Sequence, residues 1–148
     1  MLVKELGHLV LYVRDLEASR RFYRDVLGWN EIVGVEHQMA MYSSGRTHHE
    51  LLLIEVGPDA APIPPGRRVG MYHFGLKVGT TDEELREALE ALSNAGANMV
   101  GTADHGVTHS LYITDPDGNE IELYIDVQPE LWREDPTAVL APIRALRL

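Results

Sequence analysis

The sequence contains no cysteine, so a disulfide framework and any thiolate metal site are excluded. A bound metal must then rest on His, Asp and Glu. Positive charge is also scarce. Thirteen Lys and Arg stand against 23 Asp and Glu, a net charge of −10. That balance opposes binding to nucleic acid or to an anionic membrane. Long hydrophobic runs are missing too. The apolar stretch in MLVKELGHLVLYV is too short to span a bilayer and lacks the small-residue cleavage site of a secretory signal. The expectation is a cytoplasmic protein. Its 148 residues, 45% of them hydrophobic, suffice for one compact domain with a real core.

What is present reads twice. Residues 5–13 (ELGHLVLYV) have the pattern of a buried strand, and Asp15 opens a helical stretch, with Leu16, Phe22, Val26 and Leu27 as its apolar face and Gly28 as its stop. Strand candidates follow at 29–35, 38–43 and 48–56, the last two joined by the Ser43-Ser44-Gly45-Arg46 turn. Residues 57–69 form a Pro/Gly-rich connector without periodicity. The order then repeats. A strand over 70–78 carries His73, placed as His8 is in its own strand, 65 residues earlier. Thr81-Asp82-Glu83-Glu84 is a capping box. Leu85, Ala88, Leu89 and Leu92 mark a helix face that Gly96 ends. Strands at 98–101, 110–114 and 120–126 complete the unit, with Asp115-Pro116-Asp117-Gly118-Asn119 as a turn.

The pattern is β-α-β-β-β, connector, β-α-β-β-β. A repeat of this size signals two similar units forming a pseudo-symmetric pair. The organisation expected is one domain over 1–148, with module 1 at about 3–56, linker 57–69, module 2 at about 70–126 and a C-terminal helical extension at 127–148.

Strand parity selects the chemical residues. His8 shares a face with Val10 and Tyr12, and His73 with Met71, Gly75 and Lys77. Glu122 shares one with Tyr124 and is flanked by Ile121 and Leu123. A carboxylate in such a strand needs a partner if its face is covered, because an isolated buried charge is costly; a metal would supply one. Two imidazoles and one carboxylate make the facial triad of non-haem Fe(II) oxygenases, with three positions left for substrate and O₂.

These residues carry a resemblance. The paired modules, over about residues 3–126, resemble the vicinal-oxygen-chelate (glyoxalase/bleomycin resistance/extradiol dioxygenase) superfamily. The run from His105 through Leu111-Tyr112 and Asp115-Pro116-Asp117-Gly118 to Glu122 is similar to the signature of its type I extradiol ring-cleavage dioxygenases. Thr47-His48-His49-Glu50-Leu51-Leu52-Leu53 looks like the strand in which that group carries a histidine beside the metal. Ala103 departs from the residues the signature prefers at its place.

The resemblance implies an α+β fold whose two modules form a curved, partly open barrel around a metal held by His8, His73 and Glu122. It implies His49 as acid/base, with His105 and Tyr112 as hydrogen-bonding groups for dioxygen and substrate oxygens. Fe(II) is the expected cofactor, with Mn, Ni, Zn and Co as options. The expected substrate is an aromatic diol, and the expected assembly a homodimer. A glyoxalase-like lyase or epimerase with a fourth protein ligand, Glu50 or His49, is the alternative. A non-catalytic antibiotic-binding protein is a further one. Whether His105 or His109 faces the site stays open. Met39, Met41, Phe74, Tyr124 and Trp132 are candidate pocket linings, and Trp132 with residues 140–148 a cap or a subunit contact.

Overall fold

Alternation of large apolar and smaller or polar residues dictates two sheets, each with one aliphatic face held by a helix. The computed structural model describes residues 1–148. The chain divides into two compact units, residues 1–63 and 64–148, and the division falls inside the Pro/Gly connector. No helix is long and apolar enough to cross a membrane.

The first unit runs β1 (Leu9–Val13), α1 (Leu16–Arg20), β2 (Glu31–Val35), β3 (Met39–Tyr42) and β4 (Leu51–Glu55). Its sheet has the order β1-β4-β3-β2, with β1 parallel to β4 and the other pairs antiparallel. Leu11, Val13, Ala40, Tyr42, Leu51 and Leu53 are buried together with Leu16, Phe22 and Tyr23 from the helix. Asp15 caps α1 by accepting the Ala18 N–H at 2.9 Å, and the Leu16 N–H donates to Glu55 Oε2 at 2.8 Å, tying the helix start to β4.

The sequence predicts one regular helix from Asp15 to Gly28. The structure instead continues α1 as a π-helical segment, Arg21–Val26, in which the Leu27 N–H reaches the Phe22 carbonyl at 2.9 Å. The wider turn rotates the side chains that follow. Tyr23 therefore takes the fully buried place expected of Val26 and Leu27, edge-on to Phe22 at 5.1 Å. Gly28 then ends the segment at φ +68°.

The second unit runs β5 (His73–Gly79), α2 (Asp82–Asn94), β6 (Asn98–Asp104), β7 (Thr108–Thr114), β8 (Glu120–Asp126), α3 (Pro129–Glu134) and a 3₁₀ turn, Pro136–Leu140. The sheet order β5-β8-β7-β6, with β5 parallel to β8, repeats that of the first unit. Thr81 and Glu84 form the capping box. Leu85 and Leu92 of α2 are buried, as are Leu111, Ile113, Ile121, Leu123 and Ile125. Asp115 Oδ1 accepts the N–H groups of Asp117 and Asn119, which fixes the turn into β8. Arg144 pairs with Asp104 through both backbone bonds and covers part of the β6 edge.

The architecture is α+β, with two open four-stranded mixed sheets of β-α-β-β-β order, neither closed on itself. Strand starts differ from expectation where histidines stand. His8 precedes β1 by one residue, and His48 and His49 lie in the loop before β4 rather than inside it. In the second unit, by contrast, β5 begins on a histidine, with His73 paired to Glu120.

Candidate metal centre

In the second unit the register sets three strands side by side. Gly75 of β5 and Tyr112 of β7 both pair with Glu122 of β8, and His73 pairs with Glu120. Period-two alternation puts His73, Gly75, Ser110, Tyr112 and Glu122 on the face away from the aliphatic side chains that α2 covers.

The carboxylate of Glu122 is used asymmetrically. Oε1 accepts the Ser110 hydroxyl at 2.7 Å and the Tyr112 hydroxyl at 3.0 Å. Oε2 faces His73 Nε2 at 3.4 Å. Two ligand atoms each about 2.1 Å from one ion lie about 3.0 Å apart at a right angle and about 3.4 Å apart at a tetrahedral angle. The His73–Glu122 separation falls within the range that two ligands of a common ion would have. Gly75 leaves the room beside it: a Cβ there would stand 3.3 Å from the Tyr124 ring and 3.7 Å from Glu122 Oε2. One nitrogen and one oxygen donor, with no sulfur, suit Fe(II), Mn, Co, Ni or Zn.

Tyr112 links outward to His105, whose Nε2 lies 2.8 Å from the phenol oxygen. Burial pushes the Tyr112 hydroxyl well above its ordinary range, and the charge of Glu122 adds to the shift. The phenol thus stays protonated and serves as a donor. His109 takes no part. Its Nδ1 lies 2.6 Å from Asp82 Oδ1 at the start of α2, and its Nε2 faces Asp104 at 3.7 Å. His105 and His109 differ by four residues, but His109 sits inside β7 with odd parity and His105 sits before it. Of the two, His105 is the one that joins Tyr112.

In the first unit the three histidines cluster. The His8 and His49 rings are 4.5 Å apart, and His48 and His49 bring their Nδ1 atoms to 2.7 Å. His49 Nε2 is buried without a hydrogen-bond partner. Burial, and then the neighbouring His48 and His8, hold the His49 imidazole below its ordinary value. Glu50, a possible fourth ligand by sequence, is committed elsewhere. Its Oε2 accepts the Ser44 N–H at 2.5 Å, and its Oε1 accepts the Ser44 hydroxyl at 2.7 Å and faces Arg46 Nε at 3.3 Å. Burial would raise its pKa, but the Ser44 donors and Arg46 hold it below the usual carboxylate value.

The structure groups no three His, Asp or Glu side chains able to hold a metal. His73 and Glu122 stand together in the second unit, and His8 belongs to the first. Of the candidate pocket linings, Met39 and Met41 lie on the helix-free face of the first sheet and Tyr124 on that of the second. Phe74 pairs with Ile121 and so belongs to the α2 side. Trp132 lies under Arg133, whose guanidinium is 5.1 Å from the ring centre. Ser110 is the residue that sequence reading left without a role, although its parity with Tyr112 was the available signal.

The family model for the Glyoxalase/Bleomycin resistance protein/Dioxygenase superfamily matches residues 5–123. A catechol-2,3-dioxygenase of Bacillus subtilis is 35% identical over 88% of this chain and 44% of its own length. Biphenyl-2,3-diol 1,2-dioxygenase 2 of Rhodococcus globerulus is 34% identical over 82% of this chain and 63% of its own. The chain thus spans less than two-thirds of these relatives' length. Among solved structures, a lactoylglutathione lyase from Agrobacterium tumefaciens superposes with a TM-score of 0.64 at 28% identity, covering 88% of this chain and 97% of that one.

Proposed function

Because the chain belongs to the Glyoxalase/Bleomycin resistance protein/Dioxygenase superfamily, we propose that it is a metal-dependent extradiol-type dioxygenase. In this reading His8, His73 and Glu122 hold one Fe(II), and the substrate is a catechol-like aromatic diol. The observation that carries it is the divided use of Glu122: one oxygen is locked by Ser110 and Tyr112 while the other is left free beside His73 Nε2. A carboxylate so arranged is oriented as a metal ligand is, by hydrogen bonds to its non-ligating oxygen. Similarity to two diol dioxygenases supports the substrate class.

When bound, the metal would supply Lewis acidity toward the diol oxygens and one-electron chemistry toward O₂. The rest falls to side chains. His49 has its Nδ1 engaged by His48 and its Nε2 unpartnered. With a depressed pKa it is neutral near pH 7 and takes a hydroxyl proton of the diol at Nε2. Tyr112 holds its proton and turns it from Glu122 toward a substrate oxygen as charge develops there. His105 supports the phenol from behind. Val10, Met39, Met41, Leu52 and Ile54, on the helix-free face of the first sheet, offer hydrocarbon surface suited to an aromatic ring.

A lyase or epimerase of the same superfamily is the competing reading, favoured by the likeness to the lactoylglutathione lyase. It requires a fourth protein ligand from the β4 segment. Glu50 is tied to Ser44 and Arg46, and the β4 residues that follow with its parity, Leu52 and Ile54, have no donor atom. That leaves His49 as the fourth ligand of the competing reading, in place of the acid/base role it takes in the leading one. A metal-free antibiotic-binding protein would have no use for the Glu122 arrangement. Anaerobic loading with Fe(II), then a panel of catechols and air, tests the proposal. Oxygen uptake with a yellow ring-opened product is expected. No uptake across the panel, with Ni- or Zn-dependent lyase activity instead, would transfer the site to the competing reading.

A further inference from the structure

We propose that Glu120 is a positioning residue for His73: its carboxylate accepts a hydrogen bond from the Nδ1–H of that imidazole and so keeps the Nε2 lone pair directed at the space beside Glu122. The inference deepens the metal reading above and draws its purpose from it, while its geometry stands separately.

Two observations converge. His73 Nδ1 is buried and has no hydrogen-bond partner, although a buried ring N–H is normally satisfied. Glu120 Oε1 faces that atom at 3.6 Å, and β5 and β8 pair His73 with Glu120 in register. A shift of under about 1 Å closes this to hydrogen-bond distance. The ring itself is held, by Tyr72 at 4.6 Å on one side and by Tyr112 edge-on at 5.6 Å. It therefore lies between two carboxylates, Nδ1 toward Glu120 and Nε2 toward Glu122. Glu122 cannot serve both nitrogens, because its other oxygen is occupied by Ser110 and Tyr112.

The chemistry requires such an acceptor. A neutral imidazole carries its proton on one nitrogen and its lone pair on the other, and the hydrogen bond made by one nitrogen decides what the other can do. A histidine that binds metal through Nε2 must hold its proton on Nδ1, and a carboxylate behind it both fixes that tautomer and raises the ring's basicity. The alternation of Glu120 and Glu122 about Ile121 then has a division of labour: one carboxylate orients the histidine and the next sits beside it.

The test reads the tautomer directly, in the metal-free full chain. Long-range ¹⁵N–¹H correlation at about pH 8.5, where an ordinary imidazole is neutral, should show His73 protonated at Nδ1. Glu120→Leu should move the proton to Nε2 or give a mixture, and should weaken Co(II) binding, measured by calorimetry, by about 10- to 100-fold. Glu120→Gln keeps an oxygen acceptor and should retain the tautomer and most of the affinity. An Nε2–H tautomer in the unaltered protein, or a proton on both nitrogens at that pH, overturns the proposal without any variant being needed. So does an unchanged tautomer in a folded Glu120→Leu protein. An Nδ1–H tautomer lost in Glu120→Leu, in a protein that binds no Co(II), supports the positioning role and fails only the metal reading.

Discussion

The sheet β1-β4-β3-β2 and the sheet β5-β8-β7-β6 share strand order, strand direction and a single helix between their first two strands. Their helix-covered faces are alike, Leu11, Val13, Leu51 and Leu53 in one and Leu111, Ile113, Ile121 and Leu123 in the other. Their helix-free faces are not. The first presents Val10, Tyr12, Met39, Met41, Leu52 and Ile54; the second presents His73, Ser110, Tyr112, Glu120, Glu122 and Tyr124. One topology thus carries two surfaces, because in a strand alternate positions are free of the demands of the core. The covered positions preserve the fold, and the free positions divide the work. In the proposed reaction the first sheet offers hydrocarbon contact, with His8 and His49 just ahead of β1 and β4, and the second offers His73, Glu122 and their hydrogen-bonding neighbours.

That contrast can be broken or sharpened by substitution. The largest effect is expected from Tyr112→Phe, which removes the donor that burial and Glu122 keep protonated. The rate constant kcat should fall about 100- to 1,000-fold while bound metal, measured by elemental analysis, is retained. A loss of metal would mean that Tyr112 acts mainly by holding Glu122. On the apolar sheet, Met41→Ser should raise KM about 10-fold and leave kcat almost unchanged, as steady-state kinetics with a catechol would read. A fall in kcat alone would break the division between the two faces.

The helices offer a control in which the halves should agree. Asp15 accepts the Ala18 N–H at 2.9 Å and Thr81 accepts the Glu84 N–H at 3.3 Å. Asp15→Ala and Thr81→Ala should each cost about 1 kcal/mol in urea unfolding, with bound metal unaffected. The smallest effect concerns Glu50. Its pKa in the folded chain is held below the ordinary 4.5, so its stabilising contribution is complete above that value and fades as pH falls through the folded-state pKa. Glu50→Gln should lower Tm at about pH 7, and the difference should vanish near about pH 3. A difference that persists in acid would show that the Ser44 contacts act through the neutral side chain.

Much of this was legible beforehand. The duplicated β-α-β-β-β order follows from aliphatic alternation and turn residues, and the Thr81–Glu84 cap and the Asp115 turn follow from local hydrogen-bond chemistry. That Ser110 and Tyr112 share a face follows from strand parity, while their meeting with Glu122 is set by the register of β7 on β8. Three features were not legible. The π-helical turn depends on how Phe22 and Tyr23 pack against the sheet, which periodicity does not encode. The loop position of His48 and His49 depends on where pairing with β3 begins. The choice of His105 over His109 depends on Asp82, 27 residues from His109 in sequence and brought to it by the docking of α2. Each is a tertiary contact overriding a local pattern.

The most direct measurement is the metal content of protein reconstituted anaerobically with Fe(II), compared across the unaltered chain and its His8→Ala, His73→Ala and Glu122→Ala forms, each checked for folding by circular dichroism. The account predicts one iron per chain in the first and loss of iron in all three variants. Iron retained at full stoichiometry after His8→Ala, or no iron taken up by the folded unaltered chain, would contradict it.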